Sequence, residues 1–205
     1  MELEKGFCTW FTGVPASGKS TVGKACLKRL REMGIKIEDF DADEVRSHIS
    51  PNLGYTLEAR DENTKRLAFF ASILARNGIC SNIAAVSSLQ KFRDRARGMI
   101  DNFVEIMVDC PLDECQNRDP KGLYKKAAEG KINDIAGMHQ PFEKPEKPEV
   151  YLDTSKMSID ECAEKVISKL KELKYLPGDA KDDKTGYSDT EEEKVKKRLE
   201  NLGYM

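Results

Sequence analysis

Residues 13–20 read Gly13-Val14-Pro15-Ala16-Ser17-Gly18-Lys19-Ser20, a complete G-x-x-x-x-G-K-[ST] pattern. The seven residues before it, GFCTWFT at positions 6–12, form an apolar, aromatic and β-branched run that predicts a buried strand. From Lys19 to Met33 apolar side chains recur at helical spacing, and Gly34 follows as a helix C-cap would. The pattern therefore lies between a strand and a helix, which is the context that indicates a phosphate-binding loop.

The residue types of this loop suit the binding of a nucleoside triphosphate. Glycines let the main chain turn tightly, so that successive N–H groups point at the phosphates. The positive end of the following helix adds to the attraction for anions. In this pattern Lys19 reaches the β- and γ-phosphates, and the Ser20 hydroxyl ligates magnesium. The loop therefore predicts ATP as a co-substrate and Mg²⁺ as the metal that accompanies it.

Beyond the loop, short apolar runs alternate with amphipathic stretches. Strands are predicted at residues 6–12, 35–41, 79–86, 103–108 and 150–152, and helices at residues 19–33, 57–76, 92–100 and 158–173. Strands that are apolar on both faces are typical of a parallel sheet that helices cover on two sides. The predicted fold is therefore α/β, a P-loop kinase-type three-layer sandwich with a five-stranded parallel sheet.

The chain divides into two parts by composition. We expect residues 1–175 to form the kinase domain, and residues 176–205 to form a linker and a C-terminal amphipathic helix. Residues 177–186 are polar and rich in Gly, Asp and Lys, as a linker would be. A capping-box pattern at residues 188–191 then precedes apolar residues at helical spacing. This last segment is either a helix that docks on the domain or on a second subunit, or a solvated tail.

Composition excludes several classes of function. Lys and Arg number 34 and Asp and Glu number 36, so the chain lacks the basic excess typical of proteins that bind nucleic acid. No run approaches the roughly 20 apolar residues of a membrane span, and the N-terminus does not resemble a secretory signal. The six cysteines are scattered without a C-x-x-C pair, which indicates reduced, buried thiols. We expect a cytoplasmic protein with small-molecule nucleotides as partners, and no nucleic acid and no membrane.

An acidic segment follows the second predicted strand, Asp41-Ala42-Asp43-Glu44-Val45-Arg46. The carboxyl end of a strand neighbouring the loop strand faces the same crevice as the loop. One carboxylate there, Asp41 or Asp43, can accept a proton from an acceptor hydroxyl, and the other can hold magnesium through water. The alternative is a solvated acidic turn.

Cationic and polar residues then offer a site for an anionic acceptor. Arg46 and Arg60 can each bind an anion as a fork. Asn63 lies three residues after Arg60, on the same face of the predicted helix, and can position a polar group. Residues 117–126, NRDPKGLYKK, are expected to form a mobile lid with several cations. Taken singly, each of these arginines could equally form a surface ion pair.

These segments together resemble the adenylyl-sulfate kinases, P-loop kinases that phosphorylate the ribose 3′-hydroxyl of adenylyl sulfate. The resemblance covers residues 5–172 and rests on six segments: TWFTGVPASGKST, DADEVR, LGYTLEARDENTKR, FRDRAR, VDCPLDECQNRDPKGLYKKAAEGKI and IAGMHQPFEKPEKPEV. The most specific part is RDPKGLYKKA followed by P-F-E-x-P-x-x-P-E. The family implies a homodimer, sulfate activation as the role, and the strand order of other small-metabolite kinases.

The resemblance also implies roles for individual residues. Asp43 would be the general base or orient the acceptor hydroxyl, Lys19 would be catalytic, and Asp41 would lie near the metal. The implied ATP-binding residues are Gly13, Ala16, Ser17, Gly18, Lys19, Ser20, Thr21 and Arg118, the last beside the adenine. The implied acceptor-binding residues are Asp41, Arg46, Tyr55, Arg60, Asn63, Ser87, Lys121, Leu123 and Ile135. Among these, Arg46, Arg60 and Asn63 would bind the sulfate–phosphate end and Tyr55 would stack on the base. Ser87 occupies a position that is a phosphoserine in some members.

Several positions depart from the family pattern. Ala42 and Glu44 replace Gly and Asn, Ala59 replaces an Asp, Ser88-Leu89-Gln90 replaces Pro-Tyr-Arg, and Ile135 replaces an aromatic residue. These departures leave open a related kinase with another modified nucleotide as acceptor, such as a cytidine diphosphoramidate in surface-polysaccharide synthesis. A third hypothesis is a catalytically silent nucleotide-binding module, although the presence of Lys19, Ser20 and Asp43 together favours catalysis.

Overall fold

The structure is a computed structural model that describes residues 3–176. Its strands are β1 (Cys8–Thr12), β2 (Ile37–Asp41), β3 (Cys80–Ala84), β4 (Phe103–Asp109) and β5 (Val150–Asp153). Its helices are α1 (Lys19–Glu32), α2 (Ala42–Ile49), α3 (Leu57–Ala75), α4 (Gln90–Met99), α5 (Leu112–Arg118), α6 (Leu123–Ala128) and α7 (Ile159–Glu172). The linker and C-terminal helix are predicted at residues 176–205, of which residues 177–205 lie outside the described residues.

The five strands form one parallel sheet in the order β2-β3-β1-β4-β5. The central strand β1 pairs with β3, where Trp10 lies opposite Ile83, and with β4, where Phe11 lies opposite Ile106. The predicted five-stranded parallel sheet is therefore confirmed. Because all strands run the same way, their carboxyl ends meet at one edge, and the phosphate-binding loop leaves the central strand at that edge.

Helices cover both faces of the sheet. One apolar cluster joins α3 and α4 to the sheet through residues such as Ala68, Ala71 and Ala96, and the Trp10 and Phe103 rings pack at a tilt of 40° with their centroids 5.6 Å apart. On the other side α1 contacts α7, and α7 begins at a capping box between Ser158 and Glu161. Small alanines on α3 let this helix approach the sheet closely, so the rigid layers fix the positions of the loops at the carboxyl edge.

Three helices were not predicted from the sequence. The first, α2, is largely polar, and only Val45 among its apolar side chains is fully buried, so it carries little helical periodicity. Its start is marked instead by Asp41, whose side chain accepts a hydrogen bond from the Asp43 N–H. The other two, α5 and α6, are short, and they show that residues 117–126, expected to be a lid loop, contain the end of one helix and the start of another.

Two further expectations can be compared with the structure. All six cysteines are buried and free, as predicted. In the predicted helix at residues 158–173, Ile159 lies on the same face as Cys162 and Val166, which predicts burial, but Ile159 is 49% exposed because it lies in the first turn of α7, at the rim of the cavity described below. Within residues 3–176, none of the helices has the length and apolar character needed to cross a lipid bilayer.

Candidate active site

A cavity of about 600 Å³ lies at the carboxyl edge of the sheet. The phosphate-binding loop and the start of α1 form its floor, through Gly18, Lys19 and Ser20. The ends of β2 and β3, the segment around Lys121 and the residues after β5 form its walls. A cavity of this size at this edge is typical of the substrate site of a parallel α/β protein.

The phosphate-binding loop has the conformation that its glycines allow. Gly18, the N-cap of α1, has φ of 99°, a left-handed conformation that suits glycine. A Cβ atom at Gly13 would lie 2.3 Å from the main-chain oxygen of Val108 on β4, so no larger residue fits there without displacing the loop from the sheet. The Lys19 side chain lies over the loop, and its Nζ donates a 2.7 Å hydrogen bond to the main-chain oxygen of Val14.

Burial of the Lys19 side chain affects its protonation. Burial lowers the pKa of Lys19 to about 8, because desolvation disfavours the charged ammonium, and the negative charge of Asp43 partly offsets the effect. Lys19 therefore remains mostly cationic at neutral pH. A bound triphosphate would favour the cation further, since an opposite charge within a few ångströms raises the pKa of a lysine.

Thr154, directly after β5, connects the loop to Arg118. The Thr154 hydroxyl donates to the main-chain oxygen of Ser17 at 2.8 Å and accepts from Arg118 Nη1 at 3.1 Å. Arg118 Nη2 also donates to the Thr154 main-chain oxygen at 2.8 Å. Arg118 and Thr154 both line the cavity, with the apolar side chains of Met157 and Ile159. The predicted nucleotide-side arginine is therefore tied to the phosphate-binding loop through one hydroxyl.

Ser20 and Asp41, the predicted metal ligands, lie together. Ser20 Oγ donates a 2.7 Å hydrogen bond to Asp41 Oδ2. A hydroxyl and a carboxylate oxygen are hard donors of the kind that Mg²⁺ prefers. Within residues 3–176 no group of three or more His, Cys, Asp or Glu side chains could enclose a metal ion. This pair therefore fits a magnesium ion that takes its remaining ligands from water and phosphates.

Asp43 lies in the first turn of α2, on the cavity wall. It was expected at the end of a strand adjacent to the loop strand, but β2 is an edge strand and β3 lies between it and β1. Asp43 still lines the cavity, because α2 begins directly after Asp41, which is the last residue of β2. Its carboxylate forms an ion pair with Lys121 from the segment between α5 and α6. The hydrogen bond from Lys121 to the Asp43 carboxylate is the main reason that the pKa of Lys121 is raised.

Arg60 and Tyr55 line the cavity, and Arg46 lies against Tyr55. The Tyr55 ring lies between the guanidinium groups of Arg46, at 4.6 Å, and Arg60, at 5.5 Å. Arg46 Nη1 also donates to the main-chain oxygen of Gly54 at 2.5 Å. Burial, and then the charge of Arg46, lower the pKa of Arg60. The predicted acceptor arginines are thus brought together around Tyr55.

Two buried polar atoms beside these groups have no hydrogen-bond partner within the described residues. They are Arg46 Nε and Asn63 Oδ1, on side chains that are 8% and 3% exposed as residues. A buried polar atom without a partner costs about 1–3 kcal/mol. Their presence on residues predicted to bind the acceptor is therefore an observation that favours a polar ligand there.

The remaining predicted acceptor residues divide into two groups. Leu123 and Ile135 line the cavity and belong to an apolar cluster with Tyr124. Ser87 does not line it: the residue is 3% exposed, its hydroxyl accepts from Trp10 Nε1 at 3.2 Å and its φ is 40°. The structure therefore places Ser87 behind the cavity wall.

The positions that depart from the family pattern can also be located. Ile135 lines the cavity, whereas Ala59 and Gln90 do not. The side chain of Gln90 accepts from Arg93 Nη2 at 2.6 Å and donates to Asp94 at 2.8 Å. Gln90 therefore belongs to the hydrogen-bonded packing around α4. Of the residues at positions 59, 90 and 135, only Ile135 contributes to the cavity surface.

Three residues that contact the site were not singled out from the sequence. They are Thr154, Tyr124, whose hydroxyl donates to the Pro15 main-chain oxygen at 3.0 Å, and Gln140, which contacts Arg60. The position of Thr154 at the carboxyl end of the fifth strand could have indicated it, because such residues line the crevice. Nothing in the local pattern indicates Tyr124 or Gln140.

Comparison with known proteins gives consistent matches. A family model described as Adenylylsulphate kinase matches residues 5–153. A probable adenylyl-sulfate kinase of Pyrococcus abyssi is 43% identical over 173 residues, which are 84% of this chain and 99% of that protein. A probable bifunctional SAT/APS kinase 2 of Sorangium cellulosum is 42% identical over 172 residues, again 84% of this chain but only 30% of that longer protein.

A solved structure is similar over the same region. It is the APS kinase CysC of Mycobacterium tuberculosis in complex with AMPPNP and APS. The match has a TM-score of 0.79 and 37% sequence identity, and covers 82% of this chain and 99% of that chain. The similarity thus extends over about four fifths of this chain.

Proposed function

The chain belongs to the adenylylsulphate kinase family, and from this premise we propose that it transfers the γ-phosphoryl group of ATP to the ribose 3′-hydroxyl of adenylyl sulfate. The observation that carries the proposal is one cavity lined both by the phosphate-binding loop and by Arg60 and Tyr55, with Arg46 over the Tyr55 ring. A carboxylate, Asp43, lies on the wall of the same cavity. Donor, acceptor and proton-accepting groups therefore share one enclosed space.

On the donor side, the loop amides and Lys19 hold the triphosphate, and Thr154 keeps the loop and Arg118 in place. Met157 and Ile159 offer an apolar surface to the adenine. When bound at Ser20 and Asp41, Mg²⁺ neutralises charge on the β- and γ-phosphate oxygens. Phosphoryl transfer depends chiefly on such positioning and charge stabilisation, so these contacts are the main contribution of the protein.

On the acceptor side, Asp43 accepts the proton of the 3′-hydroxyl as that oxygen attacks the γ-phosphorus. Lys121 is the ion-pair partner of Asp43 in the structure, and must release it for this step. The lysine is then available to the anionic groups that enter the cavity. Arg46, Arg60 and the Asn63 side-chain NH₂ bind the sulfate–phosphate end of the acceptor, where the unpartnered Arg46 Nε gains an acceptor, and Ile135 and Leu123 contact its base.

The proposal is tested by turnover on a panel of acceptors. Purified protein with Mg-ATP should phosphorylate adenylyl sulfate, and phosphorus NMR of the product should locate the new phosphate on the 3′-oxygen. Little or no turnover should occur with a cytidine diphosphoramidate, since the named relatives favour the adenylyl compound. Faster turnover of the cytidine compound would reverse the assignment, and binding of nucleotide without any turnover would favour the silent module.

The assembly and compartment are part of the same proposal. We infer a homodimer that acts in the cytoplasm, with small nucleotides as its ligands. Sedimentation-velocity measurements over a concentration series would show a single species of twice the chain mass. A species of one chain mass at all concentrations would contradict the dimer without affecting the proposed chemistry.

A further inference from the structure

Arg60 is held in place by neutral groups. Its Nε donates to Gln140 Oε1 at 3.2 Å, and its Nη2 donates to the main-chain oxygen of Asp134 at 2.9 Å. One face of its guanidinium lies over the ring of Tyr55. Within residues 3–176, its hydrogen-bond acceptors are therefore an amide and a peptide carbonyl. The negative charges of Asp134 and Asp43 act on Arg60, but neither carboxylate is its hydrogen-bond partner.

Arg93 shows the opposite arrangement in the same fold. It is fully buried, and its Nε donates at 2.6 Å to Glu105, itself a buried carboxylate. A buried charge is ordinarily paired in this way, because an unpaired one is costly. Arg60 is 9% exposed yet has neutral partners and lines the cavity. The difference indicates that the guanidinium of Arg60 remains available to pair with an anion that enters the cavity.

Gln140 is placed by the turn that contains it. The main-chain oxygen of Ile135 accepts from the N–H groups of His139, at 2.8 Å, and Gln140, at 3.1 Å. The Gly137 N–H donates to the Gln140 main-chain oxygen at 2.8 Å. These hydrogen bonds fix the backbone of the turn, and therefore the position of the Gln140 Cα atom relative to the cavity.

The side-chain amide of Gln140 forms hydrogen bonds through both its oxygen and its nitrogen. Its oxygen accepts from Arg60, and its Nε2 donates to the main-chain oxygen of Tyr55 at 3.0 Å. A carboxylate of the same length could accept from Arg60 but could not donate to Tyr55. It would instead place a negative charge beside the guanidinium and repel the carbonyl oxygen.

We propose that Gln140 is a positioning residue that holds Arg60 on the acceptor side of the cavity without a carboxylate as its hydrogen-bond partner, and so sets the affinity for the anionic acceptor. Gln140 does not line the cavity, so it acts through Arg60. The inference rests on the proposed function, since it takes the sulfate–phosphate group of adenylyl sulfate to be the anion that Arg60 binds.

The test compares kinetic constants of Gln140→Glu, Gln140→Ala and the wild type. Hydrogen bonds to charged groups are worth about 10- to 100-fold in an equilibrium constant. Gln140→Glu should therefore raise the KM for adenylyl sulfate by ~10- to 100-fold while kcat and the KM for MgATP stay near wild type. Gln140→Ala, which removes the tether but adds no charge, should raise the acceptor KM less.

Gln90→Glu is the matched control. Gln90 also accepts from an arginine, Arg93, but lies outside the cavity lining, so the same added charge there should leave both KM values unchanged. Thermal melting would confirm that each variant is folded. An acceptor KM that does not rise in Gln140→Glu, or a KM for MgATP that rises equally, would overturn the inference.

A second readout separates this inference from the proposed function. In nitrogen-15 NMR spectra, the Arg60 Nε–Hε signal should be shifted by titration with inorganic sulfate in the wild type and much less in Gln140→Glu. If wild-type protein fails to phosphorylate adenylyl sulfate, the proposed function is wrong, and this titration still decides the role of Gln140. Equal sulfate responses in the two proteins would refute that role.

Discussion

Ser20 Oγ lies 2.7 Å from Asp41 Oδ2, although Ser20 follows the central strand of the sheet and Asp41 ends its edge strand. The hydroxyl donates to the carboxylate, and together they offer two hard oxygen ligands beside the phosphate-binding loop. This contact links the donor side of the cavity to the junction of β2 and α2, next to Asp43 in the first turn of α2.

Asp41→Asn should weaken the response to magnesium. Asparagine is as good a helix N-cap as aspartate, so α2 should persist, whereas the ligand charge is lost. We expect the Mg²⁺ concentration for half-maximal rate to rise by about 10-fold or more, since a charge-assisted contact is worth about 1.5–3 kcal/mol. Initial rates over a magnesium series at fixed ATP measure this. An unchanged midpoint would exclude Asp41 from the metal site.

Asp43→Asn should lower kcat by about 100-fold or more, because general acid–base catalysis typically contributes 10²- to 10⁴-fold. Binding of MgATP, measured by calorimetry, should be nearly unchanged. Glu44→Gln is the control, since it removes a carboxylate from the same turn of α2 at an exposed position outside the cavity lining. Turnover of Asp43→Asn within a few-fold of wild type would show that Asp43 does not accept the proton.

Thr154→Val should raise the KM for MgATP by about 10-fold, since it removes two hydrogen bonds that are each worth about 0.5–1.5 kcal/mol. Valine has nearly the same shape, but it can neither donate to Ser17 nor accept from Arg118. Thr154→Ser retains the hydroxyl and should stay close to wild type. Steady-state kinetics with saturating acceptor would measure both variants. Equal effects in the two would mean that the methyl group matters rather than the hydroxyl.

The pKa of Lys19, lowered to about 8 by burial, predicts a loss of MgATP capture at alkaline pH. The cation is the form that binds phosphates, and it is lost as the pH rises through 8. The value of kcat/KM for MgATP should therefore fall above pH 8, because that ratio reports the free enzyme. At saturating MgATP, kcat should hold to higher pH, since the bound anion stabilises the ammonium.

Lys19→Arg tests the assignment of this alkaline limb. An arginine remains protonated throughout the accessible range. The variant should be slower, but its kcat/KM profile should lose the fall above pH 8. Persistence of the same fall would assign it to another group.

Much of the fold could be predicted because it is encoded locally. The buried run at Cys8–Thr12, the glycines of the loop and the helical spacing after Lys19 each reflect backbone preferences of a few neighbouring residues. The helices α2, α5 and α6 could not be predicted in this way, because they are short or polar and have little periodicity. The helix α2 begins at the Asp41 cap, whereas α5 and α6 have no side-chain cap and are stabilised by the burial of Cys115 and Tyr124 in an apolar cluster.

The candidate site divides in the same way. The sequence by itself determined the phosphate-binding loop, with Lys19 and Ser20, because a tight turn between a strand and a helix depends only on adjacent residues. Only the tertiary structure decided that Thr154 contacts Ser17, 137 positions away, and that Gln140 contacts Arg60, 80 positions away. The order of strands in the sheet brings these residues together, and that order depends on how whole layers pack rather than on any local pattern.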